Sequence, residues 1–329
     1  MIVVSKGGRG GTPPGAKPIA CTFKKDESER RVLRDRRRDE VAYFVDAESA
    51  RDVCDSFISA NKKRRVSDGR SFDPDWAFLF PDDSDDSDFA ESEGDDDDDE
   101  SDSAYTAVKS SSTGEEWFPD ILANGGRLTI FVAGAPGAGK SYFSKQLIEY
   151  LPKDYDVLLF TALEEDDGNF SEIGPRLHKV KMVPDVLRRI TLSSIRARSK
   201  HTILLFDDID KIRDQGIKRA VFSLLEDALA NGRGHKKHDG EGDLHVITTS
   251  HALNDYKQTK YMLENSDYVA LFPLYTTRKQ MITMFDKLGL TKELCDEVIK
   301  DARRGRFRRI IIHKVAPLYL IAGSTIRLL

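Results

Sequence analysis

The sequence predicts an α/β fold in which helices flank a mostly parallel β-sheet. Three observations predict it. From about residue 117 onward, short apolar runs alternate with amphipathic helical patterns, which is typical of parallel strands joined by helical crossovers. One apolar run leads into a glycine-rich loop, and a later one ends in two adjacent aspartates. Ligands bind such sheets beyond the carboxyl ends of the strands, so we expect both features at one edge of the sheet.

The alternation sets the order of the elements. We expect strands at about 127–133, 156–161, 202–206, 244–249 and 268–271. We expect helices near 141–151, 184–197, 215–230, 256–264, 276–287 and 291–303. Two further apolar segments, at 308–313 and 318–321, bracket Pro317 and predict a terminal hairpin or edge strands.

The glycine-rich loop is a complete G-x-x-x-x-G-K-S sequence, the Walker A motif or P-loop. It follows an apolar run at 128–133 and precedes a helical pattern at 142–151. This context predicts backbone N–H groups and a helix N-terminus that converge on the phosphates of ATP. Lys140 should reach the β- and γ-phosphates, and the Ser141 hydroxyl should take one position on Mg²⁺. The predicted nucleotide-binding residues are Gly134, Ala135, Pro136, Gly137, Ala138, Gly139, Lys140, Ser141 and Tyr142.

Four apolar residues at 203–206 end in Asp207 and Asp208, the form of a Walker B strand. A buried central strand is a continuous apolar run, and its carboxyl end would bring both aspartates next to the P-loop. We expect Asp207 to hold Mg²⁺ through water, opposite Ser141. We expect Asp208 to orient the attacking water or to accept its proton. The alternative is a strand followed by an Asp-rich turn at 207–210.

The next predicted strand also ends in polar residues. Thr248, Thr249, Ser250 and His251 follow one another there. Such side chains could hydrogen-bond the γ-phosphate or the attacking water, although strands often end in Thr and Ser without any such role. We interpret His251 as a structural residue at a helix-capping turn.

Charge divides the chain into two parts. Residues 1–114 contain 18 Lys and Arg and 27 Asp and Glu, a net charge of −9, whereas the remainder contains 33 and 29, a net of +4. We therefore expect a mostly disordered N-terminal region at 1–115, basic and then acidic, and a P-loop ATPase domain at 116–329.

The N-terminal region is itself heterogeneous. Gly and Pro at 7–18 predict a flexible arm, and the pattern at 41–60 is compatible with a strand and a helix, a small accessory fold. Basic clusters at 24–38 and 62–65 suit phosphate backbones or nuclear import receptors, and are equally well explained as solvated charge. Residues 82–102 carry 14 carboxylates and no basic residue. The apolar residues just before this run favour either a partner-docking peptide or a collapsed linker; they are Trp76, Phe78, Leu79 and Phe80.

Targeting signals and cysteines bear on the compartment. The sequence shows no signal-peptide pattern and no apolar run approaching a membrane span, so we expect an intracellular protein without a membrane span. Cys21, Cys54 and Cys295 are scattered and odd in number, which favours free thiols in a reducing compartment.

Taken together, these elements resemble the genome-packaging ATPases of large double-stranded DNA viruses, a branch of the FtsK/HerA superfamily with a RecA-like P-loop fold. The resemblance spans roughly residues 117–329. It is carried by the P-loop, by Phe-Asp-Asp at 206–208 and by Asn-Gly-Arg at 231–233, before the strand that ends in Thr-Thr-Ser-His. More particular to this branch are Leu-Glu-Asn-Ser-Asp-Tyr at 263–268 with Phe-Pro at 272–273, and Gly-Arg-Phe at 305–307 leading through Ile-Ile-Ile to Pro-Leu-Tyr at 317–319.

The resemblance implies an ATP-hydrolysing, Mg²⁺-dependent ring motor that pulls double-stranded DNA into a capsid. DNA contacts would be to phosphates and independent of sequence. The implied partners are double-stranded DNA, capsid or portal-vertex proteins and further copies of the chain, and the implied location is the host cell, in a cytoplasmic virus factory or the nucleus, or the virion. Arg233 would reach a neighbouring subunit's γ-phosphate, with Arg306 as the second candidate, and Ser250 would be the polar sensor. Each arginine is otherwise a surface charge.

Two other functions remain open from the sequence. A small-molecule or nucleoside kinase shares the P-loop and would need a lid arginine, for which Arg176, Arg188 and Arg189 are available. A nucleotide-gated scaffold would bind ATP, hardly hydrolyse it and dock partners through the acidic segment. The Asp-Asp pair at 207–208, where many cellular relatives have Asp-Glu, favours this scaffold.

Overall fold

The computed structural model describes most of the C-terminal two thirds of the chain and short stretches before it. The described residues are 2–6, 17–23, 38–44, 107–109, 117–119, 127–162, 170–199, 201–232, 244–251, 256–274, 276–304 and 308–329. The second half of the expected accessory fold (47–60), the basic cluster at 62–65, the acidic run at 82–102 and the apolar residues before it lie outside the described residues, as do residues 7–16 and 24–37.

Strands and helices are numbered here in chain order. The strands are β1 (Ile2–Lys6), β2 (Lys17–Phe23), β3 (Arg38–Phe44), β4 (Ala107–Lys109), β5 (Phe118–Pro119), β6 (Thr129–Ala133), β7 (Asp156–Thr161), β8 (Leu177–Lys179), β9 (Thr202–Asp207), β10 (Leu244–Ser250), β11 (Tyr268–Leu271), β12 (Ile310–His313), β13 (Tyr319–Ala322) and β14 (Thr325–Leu328). The α-helices are α1 (Lys140–Tyr150), α2 (Pro184–Leu187), α3 (Leu192–Arg198), α4 (Gln215–Asn231), α5 (Tyr256–Asn265), α6 (Arg278–Lys287) and α7 (Lys292–Arg304). Two 3₁₀ turns lie at Ser171–Arg176 and Ile209–Lys211.

The main sheet has the order β4-β14-β13-β12-β11-β6-β10-β9-β7-β8. Its six strands from β11 to β8 are parallel, and β12, β13, β14 and β4 continue it in antiparallel fashion. The central strands β6, β9 and β10 are buried at every residue, as expected for a sheet covered by helices on both faces. This is the predicted P-loop NTPase fold, with helices around a mostly parallel sheet.

The register of the central strands assembles the expected edge. Ser250, the last residue of β10, is paired with Ala133, the last residue of β6, and Leu271 of β11 is paired with the same alanine. Thr248 is paired with Phe206, so β9 also ends at this level. The P-loop, the two aspartates and the polar end of β10 therefore meet at one edge.

Two hydrophobic clusters lie on the two faces of the sheet. One joins the sheet to α4, α5, α6 and α7, and the other joins it to α1 and to the short strands near the N-terminus. Within the described residues, no helix is long and apolar enough to span a lipid bilayer.

All five predicted strands of the ATPase domain and both terminal apolar segments are strands, within a few residues of the expected bounds. The prediction of a single helix at 184–197 was wrong in one respect. It consists of α2 and α3, separated by residues 188–191, because Thr191 begins a second helix with a capping box to Ser194. The strands β8 and β14 were not predicted, since three or four residues are too few for a periodicity to show.

The N-terminal region contains more ordered structure than expected. Strands β1, β3, β2 and β5 form a second sheet, in that order, and all its pairs are antiparallel. Ile19 and Ala42 are buried in the same cluster as Trp117, and the Tyr319 hydroxyl donates a hydrogen bond to the Ile19 carbonyl at 3.0 Å. The expected strand at 41–45 corresponds to β3. Lys17 and Pro18, which were expected to belong to a flexible arm, are the first two residues of β2. A sheet of short segments far apart in sequence leaves little local pattern to detect.

Candidate nucleotide and metal site

The P-loop joins β6 to α1 in a conformation that depends on its glycines. Gly137 and Gly139 have φ angles of 74° and 97°, in the left-handed region that favours glycine. A Cβ atom at Gly134 would lie 3.2 Å from both Ala138 Cβ and the Phe272 ring. The Gly134 N–H donates to the Ser250 carbonyl at 3.1 Å, which ties the start of the loop to the end of β10.

The loop ends at the N-terminus of α1, which has no side-chain cap and no acidic residue in its first turn. The N–H groups of a first helical turn lack partners within the helix and carry partial positive charge. A helix of 11 residues that begins in a glycine loop is therefore a binding site for an anion such as a phosphate. Ser141, the expected Mg²⁺ ligand, is the second residue of this helix, and Tyr142, expected to bind nucleotide, is 54% exposed.

Lys140 is the centre of the polar contacts in the site. Its side chain is only 5% exposed, and its ammonium lies 3.3 Å from the Ala135 carbonyl and 3.0 Å from His251 Nδ1. Asp208 Oδ1 is 3.9 Å away. Burial lowers the pKa of Lys140, and the nearby aspartates partly offset that effect. The ammonium is thus held by neutral and anionic groups that a phosphate can replace.

Asp207 is the last residue of β9 and Asp208 follows it, as expected, and the Thr249 hydroxyl contacts both carboxylates. The Thr249 hydroxyl lies 2.8 Å from Asp207 Oδ1 and 3.3 Å from Asp208 Oδ1, and it accepts a hydrogen bond from the Asp208 N–H at 2.9 Å. Asp208 has φ and ψ angles of 50° and 37°, an uncommon conformation for a residue with a side chain. Strain of this kind is concentrated at functional sites.

The two carboxylates differ in electrostatics. Burial, followed by repulsion from Asp208, raises the pKa of Asp207 to about 6. Burial also acts to raise the pKa of Asp208, but the hydrogen bond from His251 and the charge of Lys140 outweigh it, so that this pKa is lowered. Asp208 therefore remains ionised at neutral pH, whereas ionised Asp207 is costly without a cation beside it.

His251 connects the lysine to the second aspartate, a role that sequence reasoning missed. Its Nε2 lies 2.6 Å from Asp208 Oδ2, and its backbone N–H donates a hydrogen bond to Asp210 Oδ2 at 3.2 Å. With the Lys140 ammonium donating to Nδ1, the proton belongs on Nε2, which donates to Asp208. The only sequence signal was the position of His251 directly after the polar end of β10. Ser250, the residue expected to be the sensor, is fully buried, and its carbonyl binds the P-loop.

The oxygen ligands here suit a magnesium ion. Ser141 and Asp207 offer a hydroxyl and a carboxylate, the hard donors that Mg²⁺ prefers, and a P-loop site leaves the remaining positions to phosphates and water. Among the described residues, no cluster of three or more His, Cys, Asp or Glu side chains is arranged to hold a metal.

The two proposed trans-acting arginines, Arg233 and Arg306, lie outside the described residues. The structure does describe what precedes Arg233. Arg127 donates to the carbonyls of Ala228 and Leu229 at the end of α4, and Arg196 donates to the carbonyl of Asn231 at 3.0 Å. These two guanidinium groups fix the last turn of the helix.

Gly232 is required at this helix end. A Cβ atom there would lie 2.6 Å from Arg127 Nη2 and closer still to the Ala228 carbonyl. The Gly232 carbonyl also accepts a hydrogen bond from the Leu244 N–H at 3.0 Å. This hydrogen bond joins Gly232 and Leu244, the described residues on either side of residues 233–243.

Arg309 is a second residue that the sequence did not single out. It is 5% exposed, and it donates to Gln146 of α1 at 2.9 Å. Its guanidinium lies over the rings of Phe143 and Phe118, at 4.6 and 5.7 Å from their centroids. It therefore connects β12 to the helix that follows the P-loop.

The arginines considered for a kinase lid are placed elsewhere. Arg176 donates to the carbonyls of Ile148 and Pro152, at the far end of α1 from the P-loop. Arg188 is 75% exposed and pairs with Asp185 within its own helical turn. Arg189, which lies just after α2, is exposed. Arg176 therefore caps a helix, and this geometry does not support a lid role for it.

Comparisons with known proteins point to viral relatives. No protein-family model matches the chain. The uncharacterized protein V3 of Sputnik virophage is 30% identical over 202 residues, which cover 59% of this chain and 74% of that protein. Among solved structures, the genome packaging NTPase B204 of Sulfolobus turreted icosahedral virus 2 with AMPPCP is similar over 60% of this chain and 98% of its own, with 14% identity and a TM-score of 0.40. The pCW3 conjugation coupling protein TcpA with ATPγS is similar over 68% and 64%, with 10% identity and a TM-score of 0.38.

Proposed function

We propose that this chain, which belongs to the same family as the uncharacterized protein V3 of Sputnik virophage, is an ATP-driven motor that moves double-stranded DNA into a viral capsid. The observation that carries the ATPase part is the contact of Asp208 with His251 at 2.6 Å and with Lys140 at 3.9 Å. These contacts place an ionised carboxylate beside the residue that binds the phosphates.

The first step is nucleotide binding by the P-loop. The N–H groups at the start of α1 receive the phosphates, and Lys140 exchanges its contacts with Ala135 and His251 for the β- and γ-phosphates. Burial of Lys140 strengthens its attraction to the phosphates, because few waters screen the charge. Binding therefore releases His251 from the lysine.

Hydrolysis then requires a positioned water. The lowered pKa of Asp208 makes it a weak base, so orientation of the attacking water suits it better than removal of its proton. Thr249 and His251 hold the carboxylate in place from two sides. When bound between Ser141 and Asp207, Mg²⁺ would add positive charge next to the developing negative charge of the phosphates.

The motor part rests on the sequence resemblance and on the loop that carries Arg233. In a ring of subunits, a guanidinium from one copy completes the active site of the next and stabilises charge on the γ-phosphate. Hydrogen bonds from Arg127 and Arg196 fix the last turn of α4, which ends two residues before Arg233. DNA would be contacted through its phosphates, and hydrolysis would therefore be stimulated most strongly at low salt. The protein would act in the infected host cell and on the assembling virion.

ATP turnover with and without double-stranded DNA tests this proposal. Turnover that rises with DNA of any sequence and disappears in Lys140→Ala supports a motor. Transfer of phosphate to a small molecule would instead indicate a kinase. Turnover that stays near zero under all conditions, with tight ATP binding, would indicate a nucleotide-gated scaffold. The structural argument for a scaffold is that four side chains already contact the Asp208 carboxylate, which the attacking water would need.

Mixing variants tests the trans-acting arginine. Arg233→Ala should bind ATP but lose the stimulation by DNA, and mixing it with Lys140→Ala should restore part of the activity. A mixed interface can pair an intact P-loop with an intact arginine, which neither variant provides alone. If only Arg306→Ala shows this behaviour, the role belongs to Arg306. Normal DNA-stimulated turnover in both arginine variants would overturn the ring mechanism.

A further inference from the structure

A cavity of about 400 Å³ lies at the end of the sheet opposite the nucleotide site. We name it the basal pocket. It is formed where α5, α6 and β12 end and by Leu329, which follows β14. The direction of the strands places it there, because His313 is paired with Tyr268, the first residue of β11, whereas Ile310 is paired with Leu271 at the edge that carries the P-loop.

The basal pocket combines an apolar lining with a basic rim. Its apolar residues are five leucines and Ile312, and Leu318 among them is 46% exposed, an uncommon position for a large apolar side chain. Its charged residues are Lys260, Lys287, Lys314 and Glu264. Three lysines against one glutamate leave an excess of positive charge around an apolar surface. Such a site suits a chain segment that is both apolar and acidic.

The lysines differ in how firmly they are held. Lys314 donates to the carbonyls of Leu263 and Glu264 and so caps the end of α5. Lys260 lies 3.7 Å from Glu264, and its side chain is 46% exposed. Lys287 is exposed at the end of α6. Lys260 and Lys287 are therefore accessible to a charged ligand, and Lys314 is part of the wall.

The chain itself contains a segment of the matching chemistry. Residues 76–80 read Trp-Ala-Phe-Leu-Phe, and residues 82–102 carry 14 carboxylates with no basic residue. We name residues 76–102 the acidic segment. Its aromatic end is complementary to the leucines of the pocket, and its carboxylates are complementary to the lysines. Neither the fold nor the nucleotide site makes use of this segment.

The start of β4 brings the acidic segment to the pocket. Ala107 is paired with Arg327 of β14 in an antiparallel ladder, so the chain enters β4 from the end of β14 at which Leu329 lies. Leu329 is part of the pocket lining. Spacings between and along strands put Ala107 roughly 8 Å from Leu329. Four residues separate Ala107 from Asp102, the last carboxylate of the acidic segment.

This short connection raises the local concentration of the segment. A peptide tethered by a short flexible linker is presented to its site at an effective concentration on the order of millimolar. Even a weak site is largely occupied under these conditions. We propose that the acidic segment docks in the basal pocket of its own chain, with its aromatic residues on the leucines and its carboxylates on Lys260 and Lys287.

Zero-length cross-linking of the full chain tests the docking. A carbodiimide joins a lysine amine to a carboxylate only when the two are in contact, with formation of an amide. We expect amides between Lys287 or Lys260 and carboxylates of residues 82–102. Lys279 is the matched control, since it is also exposed but lies in the first turn of the same helix as Lys287, outside the pocket. Equal cross-linking of Lys279 and Lys287 would overturn the proposal.

Tryptophan fluorescence provides a second measurement. The chain has two tryptophans, and Trp117 is buried at 1% exposure, so the signal lost in Trp76→Phe reports on the acidic segment. Trp76 should be shielded from acrylamide at low salt. Combined Lys260→Glu and Lys287→Glu should lower the ratio of docked to undocked segment roughly tenfold and expose it. Lys279→Glu should leave it shielded.

The remaining outcomes are equally decisive. Mixing isotopically light and heavy chains before cross-linking distinguishes contacts within a chain from contacts between copies. Cross-links that join light to heavy chains would show that a second copy supplies the segment, which would overturn the proposal. So would a Trp76 that is as accessible in the parent as in the charge-reversed variant, provided that circular dichroism shows both to be folded.

Discussion

His251 lies between Lys140 and Asp208, with its Nδ1 3.0 Å from the lysine ammonium and its Nε2 2.6 Å from the carboxylate. One imidazole ring thus contacts both the lysine that we propose to bind phosphate and the aspartate that we propose to orient the attacking water. When phosphate draws Lys140 away, the ring loses one of its two partners. Nucleotide binding would in this way alter the hydrogen bond between His251 and Asp208.

We first predict that His251→Ala slows hydrolysis without preventing nucleotide binding. Asp208 would lose a hydrogen bond that orients it, and loss of such a positioning contact should lower kcat by roughly 10- to 100-fold. The affinity for ATP, measured by fluorescence titration, should change little, because the P-loop and Lys140 remain. His178→Ala is the control, since His178 is a half-exposed residue of β8 and lies 3.5 Å from Asp156, at the end of β7 away from the candidate site. A tenfold loss of affinity in His251→Ala would contradict the assignment.

The second prediction concerns the stability of the protein without nucleotide. The pKa of Asp207 is raised from 3.8 to about 6 in the fold, so the folded protein holds this proton more tightly than the unfolded chain does. The resulting stabilisation is complete below pH 3.8 and is lost as the pH rises through about 6. At pH 7.5 the loss is on the order of 2–3 kcal/mol.

Asp207→Asn removes the cost in stability of an ionised, buried carboxylate at this position. In EDTA, the variant should therefore melt at a higher temperature than the parent at pH 7.5, and the difference should shrink at pH 5. The same variant should lose Mg²⁺-dependent ATP binding, whereas Asp208→Asn should bind ATP and turn it over slowly. A stability difference that does not depend on pH would refute the electrostatic explanation. A site that costs stability until its ligand arrives is a common trade between stability and activity.

Third, Gly232→Ala should destabilise the protein. The added methyl group would collide with Arg127 and with the end of α4, and overpacking of this kind costs about 1–3 kcal/mol. Gly216→Ala serves as the control in the first turn of the same helix, where a Cβ atom meets only the Asp214 side chain at 3.2 Å. That change should be neutral or stabilising by up to about 1 kcal/mol, because alanine favours helices. Urea denaturation of both variants measures the difference.

Fourth, the N-terminal strands should contribute to stability. Removal of residues 1–114 would expose Trp117 and would remove the Ile19 carbonyl, one of the two hydrogen-bond partners of the Tyr319 hydroxyl. We predict a lower melting temperature for the truncated chain, and a loss of about 0.5–1.5 kcal/mol for Tyr319→Phe in the full chain. An unchanged melting temperature after truncation would show that the second sheet adds nothing.

The nucleotide site was predictable because its chemistry is local. A turn with positive φ angles needs glycine at 137 and 139, and a strand that must be buried on both faces needs an apolar run such as 203–206. Each requirement is met by residues that are adjacent in the sequence. The same holds for the helices with a clear apolar face, such as α4.

The contacts of Thr249 and Arg309 were not predictable in this way. Neighbouring residues of a strand point to opposite faces, so only the register of β10 against β9 decides that Thr249, not Ser250, reaches the two aspartates. Arg309 is buried because aromatic rings from β5 and α1 come together beside it. Both outcomes depend on residues far away in sequence. The roles of Ser250, Arg233 and Arg306 stay predictions.

The hydrogen bond from the Leu244 N–H to the Gly232 carbonyl closes the intervening loop at its base. Because Gly232 and Leu244 are joined by this bond, the geometry of the sheet does not depend on the number of residues between them. Doubling the length of a flexible loop costs only about 0.6 kcal/mol of closure entropy. An experimenter can therefore insert a tag or a fluorophore beyond Arg233 without disturbing β10.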